Sequence, residues 1–341
     1  MVRAVVKQPE AFRDALLQWF ARHGKDYPWR RTRDAYAVLV SEVMLQQTQI
    51  ATVLGKTYFS RFLATFPDVA ALASAADDDL LKAWEGLGYY RRARMLRATA
   101  RAVIANHGGE FPRETTDLLD LPGIGPYTAG ALRAFAFDLP GAVVDGNVAR
   151  VLARLMNFSE PVDTTAGQRQ MAAWADALED KQQPRNYNSA LMELGQTLCR
   201  PGVPVCGDCP VARFCQAQTP ARLPLKRQKS TVTALAEHAL WLRDDCGRLL
   251  MHCEDGQRRT GLWKLPTRPA ADIAHLPVIT ELLYSITRYR VRLRVHAGAI
   301  HGLVPVPGES WLEVDALARL PMPSPFRKVM AKLLDESANR M

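Results

Sequence analysis

No apolar run in this 341-residue sequence approaches the roughly 20 residues needed to span a bilayer. The start, Met1–Glu10, lacks the apolar core of a secretory leader. These absences predict an intracellular, cytoplasmic chain with no membrane partner. No segment recurs at a fixed period, so a solenoid or propeller is not expected. Cysteine is sparse: there are six, and four of them crowd between Cys199 and Cys215. A chain that is 48% hydrophobic and 23% charged can build a core without disulfide staples. In a reducing compartment such a crowd of thiols points to metal before disulfides. What the chain has in excess is positive charge, a formal +9. Neutralising phosphates releases counterions, so this balance favours a polyanionic partner; an ordinary basic protein carries the same charge.

The length suits two domains, or three. From about residue 10 to 215 the pattern is mostly helical. Phe12, Leu16, Leu17, Trp19 and Phe20 fall at helical spacing, and similar periodicity recurs in 51–66, 79–83, 95–106, 128–137, 148–156, 168–178 and 189–197. Pro28, Gly86-Leu87-Gly88, Gly108-Gly109, Pro122-Gly123 and Pro140-Gly141 punctuate these segments. After Cys215 the character changes. Pro220 and Pro224, with Arg222, Lys226, Arg227 and Lys229, read as an exposed basic linker. Beyond it, 231–242, 249–252 and 289–300 alternate as strands do, and 326–334 reads as a closing helix. A boundary is expected near 225–230, followed by an α+β domain.

Four local patterns carry chemistry. The cysteines are spaced Cys199-x6-Cys206-x2-Cys209-x5-Cys215. Four thiolates complete the outer coordination of an iron–sulfur cubane. A zinc ribbon is the alternative, but it usually presents two short Cys-x-x-Cys knuckles and only one pair here is that close. Leu121-Pro122-Gly123-Ile124-Gly125 leads into a helix beginning Pro126-Tyr127. Its glycines allow a tight turn, and the helix start offers free amides to a phosphate; the bland reading is an ordinary turn. Asp145, before the helix 148–156, has the place of a plain N-cap. Glu42 sits among Val38, Leu39, Val40, Val43, Met44 and Leu45. If buried there, its pKa rises toward that of a general acid; on a solvated face it does nothing of the kind.

Taken together, these strings resemble the adenine DNA glycosylases of the MutY type, within the endonuclease III or helix-hairpin-helix superfamily. The resemblance covers most of residues 20–220. It implies one [4Fe–4S] cluster on Cys199, Cys206, Cys209 and Cys215, in a loop where Arg200 and Arg213 face phosphate. It implies a phosphate clamp at Gly123 and Gly125, and places the essential aspartate at Asp145, 20 residues after Gly125, with Asn147 orienting it. Glu42, in Ser41-Glu42-Val43-Met44-Leu45-Gln46-Gln47-Thr48-Gln49, then protonates adenine at N7. Trp29, Arg30 and Glu193 fall near the adenine pocket, Gln47 and Thr48 probe the mispair, and Leu87 and Tyr89 flank the oxidised guanine. Bifunctional members carry a lysine where this chain has Tyr127, and a phenol cannot form an imine, so no strong lyase activity is expected. The implied partner is duplex DNA with adenine opposite 8-oxoguanine or guanine, handled by a monomer.

Weaker resemblance extends to about residue 330. Gly261-Leu262-Trp263-Lys264-Leu265-Pro266 is similar to a stretch of the MutT-like recognition domain of that family, and no hydrolytic Nudix box is present. The expected organisation is a mainly α catalytic region at 1–225, a basic linker at 226–232 and an α+β, MutT-like, non-hydrolytic domain at 233–341. Within the first, a six-helix barrel covers about 30–136, and the iron–sulfur part takes the N-terminal helix and about 137–225. Where the family reads the lesion with Phe-Ser-His, this chain has Ile286-Thr287-Arg288. Thr287 keeps a hydroxyl and Arg288 brings a charge, so both are candidate lesion-binding residues. Two rival readings are a glycosylase for another base, such as thymine opposite guanine, and a non-enzymatic iron–sulfur DNA-binding protein.

Overall fold

The computed structural model describes residues 6–227, 231–256, 259–298 and 305–338. Residues 228–230 of the expected linker and 299–300 of an expected strand lie outside them. The helices run α1 (Pro9–His23), α2 (Pro28–Arg31), α3 (Ala35–Leu45), α4 (Ile50–Gly55), α5 (Tyr58–Thr65), α6 (Val69–Ser74), α7 (Asp77–Ala83) and α8 (Arg91–His107). They continue as α9 (Thr115–Leu119), α10 (Pro126–Ala131), α11 (Gly146–Leu155), α12 (Thr165–Leu178) and α13 (Pro184–Thr197). Strands β1 (Thr233–Trp241), β2 (Leu249–Cys253), β3 (Trp263–Lys264), β4 (Val278–Ile286), β5 (Tyr289–Ala297) and β6 (Glu309–Leu312) follow, with α14 (Ala270–Ile273) among them and α15 (Ser324–Ala338) last. No helix among the described residues is long and apolar enough to cross a membrane.

The chain divides into two compact units, and the division does not follow sequence order. One comprises Met1–Gln47, Asp68–Ala73 and Ala98–Gln228; the other comprises Thr48–Pro67, Ser74–Arg97 and Lys229–Met341. In the first, Phe12 and Leu16 of α1, Leu152 and Leu155 of α11, and Tyr187 and Leu191 of α13 share one core. Helix α3 is apolar on every side, and all its residues except Leu45 are buried, the pattern of a central helix. Asp34 starts it by accepting from the amides of Tyr36 at 3.1 Å and Ala37 at 3.2 Å. This capped, buried helix carries Glu42 inward.

The second unit holds two three-stranded sheets, β1-β5-β4 and β3-β2-β6. β1 runs parallel to β5, and β4 antiparallel to it. Leu293 and Val295 of β5 pack with Leu265, Met322 and Phe326 in its core. The region after the linker is therefore α+β, as its alternating pattern predicts.

Three details differ from the sequence pattern. The single helix expected over 51–66 is broken into α4 and α5, with Thr57 between them in the left-handed region at φ 52°. The helix expected over 128–137 widens into a π-turn at Leu132–Ala136. Strands β3, β4 and β6 lie outside the three segments expected to be strands. In β4 the apolar Val278, Ile279 and Leu283 are exposed, so polarity does not alternate with facing.

Candidate active site

Glu42 lies on α3 with 5% of its surface exposed. Its Oε2 accepts a 2.7 Å hydrogen bond from the Tyr127 hydroxyl, at the start of α10. Burial pushes the Glu42 carboxyl up to about 7; the Tyr127 bond works against that shift, and the negative charge of Asp145 adds to it. The Tyr127 phenol is itself held well above its ordinary value, by burial first and then by Glu42. At neutral pH this site thus has a carboxylic acid close to half-protonated and a phenol that stays neutral.

Each oxygen of Asp145 is held by hydrogen bonds. Its Oδ1 caps α11, accepting from the amides of Asn147 at 2.8 Å and Val148 at 2.7 Å. Its Oδ2 accepts from the Asn147 side-chain amide at 2.7 Å. Capping thus fixes a half-buried carboxylate where its charge also raises the Glu42 pKa. Arg150 holds Asn147 in turn, donating to its Oδ1 at 2.8 Å and to the carbonyls of Gly195 at 2.7 Å and Cys199 at 2.7 Å. Helices α11 and α13 approach closely here, because a Cβ on Gly195 would stand 2.7 Å from that of Asn147. Arg150 does not stand out in the sequence, because an arginine one turn into α11 carries no local signal of this role.

Arg30 and Glu193 meet at 2.8 Å, although 163 residues separate them. Glu193 is fully buried, and its other oxygen, Oε1, has no hydrogen-bond partner. Trp29 is buried and stacks on Tyr27, while the Arg30 guanidinium lies over the Tyr27 ring at 4.8 Å. Arg185 steadies this turn by donating to the carbonyls of Arg30 and Thr32, both at 2.7 Å.

In the Leu121–Gly125 hairpin, Gly123 takes φ 80°, a conformation that favours glycine, and is exposed. Thr99 anchors the turn through the Pro122 carbonyl at 2.6 Å. Gly125 precedes the first residue of α10. Gln47 follows α3 at φ 62°. In the second unit, Thr48 accepts from Arg92 at 3.4 Å, Leu87 is buried, and Tyr89 is 46% exposed at φ 47°. Thr287 and Arg288 form the exposed two-residue turn between β4 and β5, with Thr287 at φ 52°. Of the six non-glycine residues with positive φ among those described, three are Gln47, Tyr89 and Thr287. A β-branched residue in that region is strained, and such strain gathers at functional sites.

All six cysteines are free thiols. Among the described residues, no set of three or more His, Cys, Asp or Glu is gathered tightly enough to hold a metal ion. The four thiols of the 199–215 loop nonetheless share one electrostatic neighbourhood. Burial raises Cys209 to about 11, the Val211 amide lowers it, and the charges of Cys199, Cys215 and Cys206 each raise it further. Short turns shape the loop: the amide of Cys209 donates to Cys206 at 3.3 Å and that of Cys215 to Ala212 at 3.0 Å. Arg154, almost wholly buried, donates to the Cys199 sulfur at 3.3 Å and to the carbonyls of Arg200, Gly202 and Leu223 at 2.9, 3.0 and 3.0 Å. Four thiols in one loop beside a buried guanidinium have the donor chemistry of an iron–sulfur site. Arg200 and Arg213 are exposed.

The family described as HhH-GPD superfamily base excision DNA repair protein matches residues 40–176. The chain is 44% identical over 222 residues to the adenine DNA glycosylase of Homo sapiens, across 62% of this chain and 40% of that one. It is 32% identical over 225 residues to that of Buchnera aphidicola subsp. Acyrthosiphon pisum, across 65% and 64%. It thus spans less than two thirds of the length of these curated relatives. A thermostable thymine-DNA glycosylase superposes with a TM-score of 0.55 at 28% identity, over 62% of this chain and 96% of that one. An endonuclease III in a non-covalent complex with DNA gives 0.52 at 22% identity, over 63% and 96%, a likeness of fold.

Proposed function

We propose, from the match of residues 40–176 to the HhH-GPD superfamily of base excision DNA repair proteins, that the chain is a monofunctional adenine DNA glycosylase acting on adenine opposite 8-oxoguanine or guanine in duplex DNA. The observation that carries this reading is the buried Glu42 carboxyl, poised at about 7 and bonded to Tyr127, within the field of Asp145.

In this reading the hairpin at Gly123 and Gly125 clamps phosphate without reading bases. Adenine leaves the stack and enters a pocket bordered by Trp29, Arg30 and Glu193, where the unpaired Glu193 Oε1 is a buried acceptor for the exocyclic amino group. Gln47, Thr48, Leu87 and Tyr89 attend the opposite base. Glu42 gives its proton to adenine N7. The C1′–N9 bond breaks with its electron pair going to N9, and the carboxylate of Asp145 stabilises the cation left at C1′. Water then adds at C1′ and returns a proton to Glu42. Cys199, Cys206, Cys209 and Cys215 would hold one [4Fe–4S] cluster, which when bound supplies iron–thiolate cross-links to the loop carrying Arg200 and Arg213. The region after the linker acts as a MutT-like lesion reader.

Incubation with duplexes carrying adenine opposite 8-oxoguanine tests the whole reading. Release of thymine opposite guanine instead, or of no base, would reject it. Tyr127→Phe gives a finer test. The lost hydrogen bond had been lowering the Glu42 pKa, so the limb on which activity falls with rising pH should move upward by about one unit, the size of one bond to a charged group. In both proteins the product should be an intact abasic strand, with no borohydride trapping; an unmoved limb or efficient trapping counts against the assignment.

At the β4–β5 turn, Thr287→Ala should narrow the preference for 8-oxoguanine over guanine by roughly 1–3 kcal/mol, the worth of one base-edge contact. Equilibrium binding to the two duplexes measures this, and unchanged discrimination removes Thr287 from lesion reading.

A further inference from the structure

The outer face of the β1-β5-β4 sheet carries a feature that base excision does not use. Along β5, Val291, Leu293 and Val295 are buried, while Arg290, Arg292 and Arg294 alternate with them. Successive strand side chains point to opposite faces, so three guanidiniums stand in a row on the side away from the core. Arg290 is exposed, and the Arg292 and Arg294 side chains are 49% and 40% exposed. Arg288, at the turn, continues the row. With a strand rise of about 3.3 Å per residue, the row from Arg288 to Arg294 is about 20 Å long.

The register fixes what lies beside it. On β4, Ser285, Leu283 and Glu281 stand opposite Arg290, Arg292 and Arg294. On β1 the partners are Ala234, Ala236 and His238. Ala234 and Ala236 are exposed and small, so that flank is low. A hollow of about 360 Å³, lined by Ala236, Glu237, His238 and Arg268 among others, opens beside it. Glu281 is the carboxylate among the arginines' register partners on β1 and β4. It pairs with both Arg292 and Arg294 at 3.0 Å, which leaves three cations of β5 against one anion. Like charges repeated along one strand repel unless an anion lies over them. The even spacing and shallow, small-residue flank suit a regular polyanion better than a peptide, whose side chains need pockets.

We propose that this arginine row is a track for the phosphodiester backbone of duplex DNA, adding sequence-independent affinity beside the β4–β5 turn. The proposal rests on the reading of the chain as a DNA glycosylase but concerns a surface outside the catalytic machinery. Each phosphate contact contributes about 0.9 to the slope of log K against log salt.

The test compares the wild-type chain, the triple variant R290Q/R292Q/R294Q and E281Q, measuring Kd for an A:8-oxoguanine duplex and a fully paired duplex across salt concentrations. The triple variant should bind both duplexes more weakly and flatten the slope by about 2–3. E281Q frees Arg292 and Arg294 and should do the reverse, tightening binding and steepening the slope by up to about 1. Misfolding cannot produce opposite changes in the two variants. Slopes equal to wild type in both overturn the track and leave an acidic protein segment as the class of partner to examine. Adenine release by the wild type separates the two readings. A protein that releases adenine while its slope ignores the row overturns the track alone. One whose slope follows the row but which releases no adenine overturns the glycosylase reading and keeps the track.

Discussion

Glu42→Gln is expected to remove most single-turnover adenine excision, by about 10²- to 10⁴-fold, while leaving mispair binding in place. Glutamine keeps the size and can still accept from Tyr127, but it has no acidic proton to give. Asp145→Asn should fail comparably for another reason: the cap on α11 persists while the negative charge facing the sugar is gone. Wild-type-like release by either variant would reject its assigned role. The same Glu42 variant has a second readout that does not involve activity. A carboxyl whose folded pKa is raised above its ordinary 4.5 contributes stability that is present below that value and lost as pH rises through about 7. Above pH 7 the wild type therefore pays for a buried charge that glutamine lacks. Glu42→Gln should be the more stable protein at about pH 8, by on the order of 3 kcal/mol, with the difference vanishing near pH 4. Denaturant midpoints at the two pH values check this; a difference independent of pH would mean that Glu42 is not buried in solution.

The second large effect is expected at Arg154. Its guanidinium serves three carbonyls and one cysteine sulfur of the 199–223 region while almost wholly buried. Arg154→Met preserves much of the packing but leaves those acceptors without their donor. A loss of roughly 3–5 kcal/mol of stability is expected, because stranded buried acceptors cost about 1–3 kcal/mol each. Iron per chain and visible absorbance should fall with it in protein prepared anaerobically. Equilibrium denaturation and metal analysis measure both. Unchanged stability would show that water replaces the guanidinium, and zinc in place of iron in the wild type would overturn the cluster assignment.

The sequence was most legible where chemistry depends on residue type at fixed local spacing. The cysteine loop, the glycine hairpin, and Glu42 and Asp145 beside their helices could be picked out from short strings, because turns, caps and thiol donors act over a few residues. Helical periodicity likewise gave the first 215 residues their class. Strands β3, β4 and β6 are not legible in the sequence, because exposed apolar side chains on β4 blur the alternation while β3 and β6 are only two and four residues long. The arginines at 288, 290, 292 and 294 stand in plain alternation in the sequence, yet only the buried Val291, Leu293 and Val295 show which face they occupy.

By itself, then, the sequence determined which groups are present: the acid, the cap, the absence of a lysine at Tyr127, and four thiols in one loop. The tertiary structure decided what those groups are worth. Glu42 becomes an acid near neutral pH only because α3 is buried and the charge of Asp145 adds to that burial, while the bond from Tyr127, 85 residues away, holds the rise back. Glu193 finds Arg30 across 163 residues, and Arg150 links Asn147 to the cysteine loop. Desolvation and through-space charge depend on what surrounds a group in three dimensions, and local sequence spacing carries no record of those neighbours.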